Sequence, residues 1–480
     1  MKYYLFSILF FALSVSITAN SQRVLKGTVR AGNKGIANVI ITNGKNFTTT
    51  RPDGTYTLHS DTTQAYVYYT LPSGYESPVE NGIPVFYKWI EASTDRYDFN
   101  LKKSAVSQKK HAFIVWADPQ VIDPEEFKLL EEVAKDVNLT VEEYKQIPVH
   151  AISCGDIVFD RLNLFDDYKK VLTKINVPFY QSIGNHDMDY SNKTHETSTR
   201  SYEANFGPAY YSYNKGDIHY IVLNDVFYYG YSYQYMGYLD QRQLDWLTQD
   251  LSHVDKGSTV VITLHIPTMY IDAETNPSLE KLQKNSLVNN KHFYEKLKGY
   301  DVHLLAGHSH TQWNTIVNDS ILEHTHAAAS AAWWQGEVGL DGTPKGYSVY
   351  EADGNKLVWR FKGTGLPKDH QFKVYPVGAD PDNSEAFVVN VYNYDPQWTV
   401  VWYENNILQG NMEQYWGVDP LARELYQPGQ NKKYGWLCYD KTNHIFKATP
   451  KQKGSDIRVE VTDRFGNKWS ETLKNDFYET

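Results

Sequence analysis

Between His111 and Gly363 the chain sets short apolar runs against amphipathic stretches, whereas on either side apolar residues alternate singly with polar ones. The runs His111–Ala117, Pro148–Ser153, Pro178–Ile183, Ile218–Leu223, Thr259–Leu264 and Asp301–Ala306 predict buried parallel strands. Helical spacing predicts a helix over Leu239–Leu251 and another opening at Asp123-Pro124-Glu125-Glu126. In the latter Asp123 is the N-cap, Pro124 takes the first helical position and Glu126 closes a capping box. Alternating strands and helices give an α/β layer fold with functional groups at strand carboxyl ends. Phe227–Tyr238, rich in Tyr and broken by Gly, reads as a loop: a packed surface segment or an aromatic rim to a pocket.

The flanks read differently. Val24–Val29, Ala37–Ile41, Thr55–Leu58 and Tyr66–Tyr69 are short strands separated by Gly32-Asn33-Lys34-Gly35 and Asp53-Gly54 turns. They predict an Ig-like sandwich of about seven strands. Its Arg51–Tyr56 turn resembles that of the regulatory-like β-modules appended to exported hydrolases. Lys102–Gln108 is a polar linker. Beyond Gly363 strands are expected over Lys373–Pro376, Ala386–Tyr392, Thr399–Tyr403, His444–Ala448 and Asp456–Val461, with Tyr415–Tyr426 as a helical insert. The expected division is therefore a β-sandwich over 22–104, an α/β unit over 105–365 and a mostly-β unit over 366–480.

Residues 1–21 carry a positive start, an uncharged apolar run from Tyr3 to Ile17, and small residues at Ala19 and Ser21 before Gln22. That is the pattern of a secretory signal peptide, and no Cys nearby offers lipid attachment, so a secreted or periplasmic protein is expected. No later stretch approaches the roughly eighteen apolar residues of a transmembrane segment. The two cysteines, Cys154 and Cys438, are too few for a disulfide framework. A net charge of −10 without a basic tract argues against a nucleic-acid polymer as partner, though not against a small phosphorylated one.

Chemistry enters at the strand ends. In order along the chain they read Ala117-Asp118-Pro119-Gln120, Cys154-Gly155-Asp156, Gly184-Asn185-His186-Asp187, Leu264-His265 and Gly307-His308-Ser309-His310. Each places oxygen or nitrogen donors where an apolar strand opens into a turn. A glycine before Asp156, Asn185 and His308 is expected to let the backbone turn sharply. Together these donors suit a pair of divalent cations (Mn, Fe or Zn) better than Ca, with a carboxylate bridging them against mutual repulsion.

The series Asp118-x-Gln120, Gly155-Asp156, Gly184-Asn185-His186-Asp187, His265 and Gly307-His308-x-His310 resembles the calcineurin-like metallophosphoesterase superfamily. The similarity covers about Lys110 to Gly363, and the flanking β-modules resemble those of exported bacterial members. The resemblance implies a four-layer β-sandwich core with helices outside, and a phosphomonoesterase or phosphodiesterase working through a bridging hydroxide. It implies that Asp118, Gln120, Asp156 and His310 hold one metal, and that Asp156, Asn185, His265 and His308 hold the other. His186 is implied to contact the phosphate and protonate the leaving oxygen, with Asp187 orienting it or positioning substrate. Gln120 departs from the usual Asp-x-His and is a weaker, neutral donor. The alternative is a weakened phosphate- or glycan-binding protein on the same scaffold. Asp160 and Arg161 are expected to form an ion pair on a helix start or to approach substrate, His324 and His326 to lie around the site or on the surface, and Trp333-Trp334 to wall the cavity or fill the core.

Overall fold

Lys110–Trp116 runs through the middle of a five-stranded sheet ordered Phe179–Tyr180, Val149–Ser153, Lys110–Trp116, Gly346–Asp353, Lys356–Gly363. The first three strands are parallel and the last two join as an antiparallel hairpin. A six-stranded sheet lies opposite, in the order Tyr211–Lys215, Ile218–Val222, Thr259–Thr263, Asp301–Ala306, Ile321–Thr325, Trp313–Asn318. Its four inner strands are parallel and its edges antiparallel. These coordinates are a computed structural model that describes residues 23–61 and 63–474; the expected signal peptide lies outside the described residues.

Strand alternation builds the layers. On Lys110–Trp116, Phe113 and Val115 point into one core with Tyr220, Ile262 and Leu304 of the second sheet. Ile114 and Trp116 point the other way, against Leu130, Val133 and Val137 of the helix Phe127–Glu143 and Tyr168 of Phe165–Leu172. Gln241–Leu251 and Asn290–Leu297 bury Leu244, Leu247 and Phe293 against the second sheet. Helix, sheet, sheet, helix is the four-layer arrangement expected.

The N-terminal segment forms two four-stranded sheets and smaller pairings. It docks on Tyr211–Lys215 through a Thr70–Ser212 hydroxyl pair at 2.9 Å and Phe86 packed on Tyr211 at 4.5 Å. The C-terminal segment forms two more four-stranded sheets around Phe387, Val389, Trp402 and Val459. A separate cluster packs Ala422, Tyr426 and Leu437 onto Val338 and Leu340.

Several local expectations change. Tyr415–Tyr426 splits into the strand Glu413–Val418 and the helix Pro420–Tyr426, with Asp419 capping the helix through the N–H groups of Leu421 and Ala422. Pro178–Ile183 is a strand only at Phe179–Tyr180. Phe227–Tyr238 is a hairpin, Val226–Tyr228 paired with Tyr235–Gly237. Asp123 caps as expected, but Glu126 does not close the box on it; one carboxylate oxygen accepts from Ile122 N at 2.8 Å, and the other faces Lys433 and Tyr434. That long-range demand on the carboxylate has no local signature in the sequence. His324 and His326 are buried rather than superficial, the latter spanning Ala306 O and the Tyr350 hydroxyl. Among the described residues both cysteines are free thiols.

Candidate metal centre

The carboxyl ends of both sheets open on one side, and the five expected turns meet there. One donor atom each of Asp156, His265 and His308 lies within 4.8 Å of the other two, and the same holds for Asp118, Asp156 and His310. Asp156 belongs to both trios. Asn185 joins them through Oδ1, 3.0 Å from His265 Nε2, while His308 Nδ1 lies 3.2 Å from that same nitrogen.

The glycines act here mainly by close approach. Only Gly155 takes the left-handed φ (91°) that a sharp turn demands. A methyl group on Gly184 would lie 2.1 Å from Asp156 Oδ1, and one on Gly307 would lie 2.5 Å from Asp118 Oδ2. The left-handed conformations fall on the donor residues themselves: Asp118 (φ 48°), Gln120 (35°), Asp156 (52°), His308 (67°) and His310 (60°). Non-glycine residues hold such angles only where the surroundings enforce them. Here backbone bonds do so: Asp118 N to Gly155 O, Gln120 N to Asp156 O, and His308 N to the Asp118 carboxylate.

Hydrogen bonding around the cluster is one-sided. His265 donates Nδ1–H to the Cys154 carbonyl at 2.8 Å, which turns Nε2 toward Asp156 Oδ1 and Asn185 Oδ1. Among the described residues, His308 Nε2 and His310 Nε2 are buried without a hydrogen-bond partner. Two carboxylates, an amide oxygen and inward-facing imidazole nitrogens concentrate lone pairs that ask for cations rather than donors. The residues therefore fit a pair of divalent metal ions.

Taken by themselves, the donors balance their charges among one another. Burial raises both Asp118 and Asp156; it wins at Asp118, whereas at Asp156 the His265 and His186 charges outweigh it and pull the carboxyl down. Burial opposes a charged His265, but Asp156, Asp118 and Asp225 overcome it and hold the imidazole at about 10. Burial, reinforced by His265, drives His308 down to about 3, so its ring is a neutral donor. Burial likewise keeps His310 far below the usual histidine value.

Gln120 sits in the cluster, but its Nε2 donates to Asp156 Oδ2 at 2.6 Å and its Oε1 accepts from the Trp333 indole. Trp333 also stacks on His310 at 3.8 Å, so it walls the cavity, whereas Trp334 is buried with its indole on Ala328 O. Asp187 does not orient His186. It is wholly buried, accepts from the N–H groups of Ile157, Val158 and Gly184, and thereby ties two donor loops together. Its carboxyl is raised to about 7 by burial and the nearby Asp156 charge. Asp160, expected either in an ion pair or near substrate, takes the orienting place at 2.9 Å from His186 Nδ1. Burial lowers His186, yet Asp156 and Asp160 outweigh it and hold its pKa above the ordinary value.

Asp225 was not apparent from sequence. Its buried carboxylate accepts from His265 N and Ile266 N, each at 3.0 Å, and so sets the fourth turn. The signal available was an Asp immediately after Leu223-Asn224, at the end of the one parallel strand without a donor motif. A cavity of about 430 Å³ adjoins the cluster, walled by Tyr235, Met269, Tyr270, Trp313 and Trp333 together with Lys281 and Lys441.

Residues 23–104 match the family model described as the N terminal of calcineurin-like phosphoesterase, and residues 323–469 match the one described as its C terminal. A comparison with curated proteins found no match. Among solved structures the chain is similar to a dimetal phosphatase from Danio rerio, at 15% identity over 53% of this chain and 96% of that one, TM-score 0.40. It is also similar to a purple acid phosphatase from yellow lupin seeds, Lupinus luteus, at 12% identity over 72% of each chain, TM-score 0.41. A 5'-nucleotidase from Candida albicans aligns at 10% identity over 54% of this chain and 51% of that one, TM-score 0.30. Both flanks of the chain therefore match family models for the termini of calcineurin-like phosphoesterases, on either side of the four-layer core that holds the donor cluster.

Proposed function

We propose that this chain is an exported phosphoesterase that hydrolyses a small phosphomonoester or phosphodiester at the cluster shared by Asp118, Asp156, Asn185, His265, His308 and His310. The observation that carries the reading is the pair of donor trios meeting at Asp156. In this reading Asp118, Asp156 and His310 hold one divalent ion, with Gln120 beside it through its amide, and Asp156, Asn185, His265 and His308 hold the other. Such ions, when bound, supply Lewis-acid polarisation of the phosphoryl group and make water acidic enough to attack near neutral pH.

The protein's own groups supply the rest. Neutral His308 and His310 present lone pairs without first losing a proton. Asp225 and the Cys154 carbonyl fix the backbone and tautomer of His265. His186 stands at the cluster's edge, its backbone N–H on Asp156 Oδ1 and its Nδ1–H on Asp160, which leaves Nε2 free to face the ester. From there it protonates the leaving oxygen as the P–O bond breaks. The cavity has room for a leaving group of modest size, and its mixed aromatic and charged wall suits a partly polar one.

Elemental analysis beside turnover of aryl mono- and diesters tests this. Asp156→Ala and Asn185→Ala are expected to lose metal and turnover together, and full turnover in either variant would overturn the assignment. His186→Ala is expected to slow turnover with metal retained. Export rests on residues 1–21, and N-terminal sequencing of protein recovered from outside the cytoplasm is expected to begin at Gln22. Among the described residues no helix is long and apolar enough to cross a membrane.

A further inference from the structure

Trp436 comes from the C-terminal segment and is 44% exposed, so filling a core does not explain its place. One face stacks on Tyr434, with centroids 4.5 Å apart and planes within 4°. It also stacks on Phe159, at 5.5 Å and 22°. Phe159 in turn stacks on the His186 ring at 4.1 Å and 30°. Four rings thus run from the C-terminal segment to the imidazole beside the cluster.

Both ends of this ladder are fastened. Tyr434 donates its hydroxyl to Glu126 Oε1 at 2.6 Å, where Lys433 also pairs, and Glu126 holds Ile122 N just past Gln120. Lys433 N donates to Gln335 Oε1 at 2.8 Å, and Leu437 is fully buried against Val338 and Leu340. At the other end Asp160 receives the His186 Nδ1–H, which fixes the ring about one axis but leaves tilt about that bond. The stacked Phe159 removes the tilt. Beyond the effect of their buried area, offset aromatic pairs of this kind favour one ring pose over another several-fold.

We infer that Trp436, acting through Phe159, is a positioning residue for His186, so that the C-terminal segment completes the catalytic site rather than merely accompanying it. The inference rests on the role given to His186 under Proposed function. It implies that Trp436 matters where protonation of the leaving group limits the rate and matters little where the leaving group departs unaided.

The test uses the full, metal-loaded chain and two aryl esters of one class, a nitrophenyl ester with a good leaving group and a phenyl ester with a poor one. Trp436→Ala is expected to lower kcat on the phenyl ester about ten-fold, a fraction of what general acid catalysis provides, and on the nitrophenyl ester less than about two-fold. Trp436→Phe, which keeps a stacking face, is expected to restore the phenyl ester rate. In a His186→Ala background, Trp436→Ala is expected to add nothing. Equal losses on both esters, or losses that multiply with those of His186→Ala, would overturn the inference even with metal content unchanged. If His186→Ala itself slowed both esters equally, the fault would lie in the acid role of His186, and the inference would fall with it.

Discussion

Replacing Gly184 with Ala adds one methyl group to a residue that itself carries no donor but lies between Asp156 and the Asn185 turn. That methyl would lie 2.1 Å from Asp156 Oδ1 and 2.2 Å from Asp156 N, where real contacts stay beyond 3.0 Å. Relief therefore needs a displacement of at least 3.0 − 2.1 = 0.9 Å between the Asn185 and Asp156 loops. Overpacking of this size costs about 1–3 kcal/mol of stability, which a protein of this length survives folded. Catalysis has less tolerance, because a misplacement near 1 Å costs on the order of a hundred-fold in rate. The expected result is a folded variant with kcat/KM down about a hundred-fold and less bound metal. Ester turnover, elemental analysis and a thermal melt on the same preparation measure all three. Gly339→Ala is the control, since its methyl would meet nothing nearer than 3.5 Å. A Gly184→Ala enzyme with unchanged turnover and full metal content would refute the claim that Asp156 is held by this contact.

Asp225→Asn keeps the shape of the group that receives His265 N and Ile266 N but removes its charge. One of its two acceptors becomes an NH2 that cannot accept, so one N–H loses its partner and the other bond loses its charge. Metal affinity is expected to fall about ten- to a hundred-fold, read by titrating apo-protein with Mn or Zn. Chelation is expected to abolish turnover and lower the melting temperature, with both restored by divalent ions, because a ligand bound only to the folded state stabilises it; an unchanged melt would count against a site built into the fold. His111 and His303 are each held at about 4 by burial, against about 6.5 in an unfolded chain. Unfolding therefore takes up protons at these two groups between those values, so the stability they contribute is complete above about pH 6.5 and falls as pH drops toward 4. Urea midpoints of apo-protein across that range are expected to show the slope, and His111→Gln to flatten it.

Most donors were legible because they follow an apolar strand closely, so sequence order and strand direction place them on one side; Asn185 comes after a strand that already ends at Tyr180. What arranges those donors was not legible. Asp225 reaches them from a turn with no fixed spacing to the motifs, and Trp436 arrives from 250 residues past His186; Asp160 and Trp333 were singled out, but not the groups they contact. Asp187 shows the opposite error: adjacency to His186 suggested partnership, but a short helical turn over Asn185–Asp187 points consecutive side chains apart. The core hairpin Gly346–Gly363 was legible in principle, since Asp353-Gly354 is a strong turn signal between alternating strands. The C-terminal strands Ile407–Asn411 and Lys468–Leu473 were missed because they are partly exposed edges with little apolar content.

Left-handed backbone at His308 and His310 carries a tax on folding of about 1–2 kcal/mol for each such residue, since side chains other than Gly and Asn crowd the next carbonyl there. A chain optimised for durability alone would put Gly or Asn at both positions and melt at a higher temperature. Retaining imidazoles there marks a molecule that has given up heat resistance to keep those two nitrogens where they are.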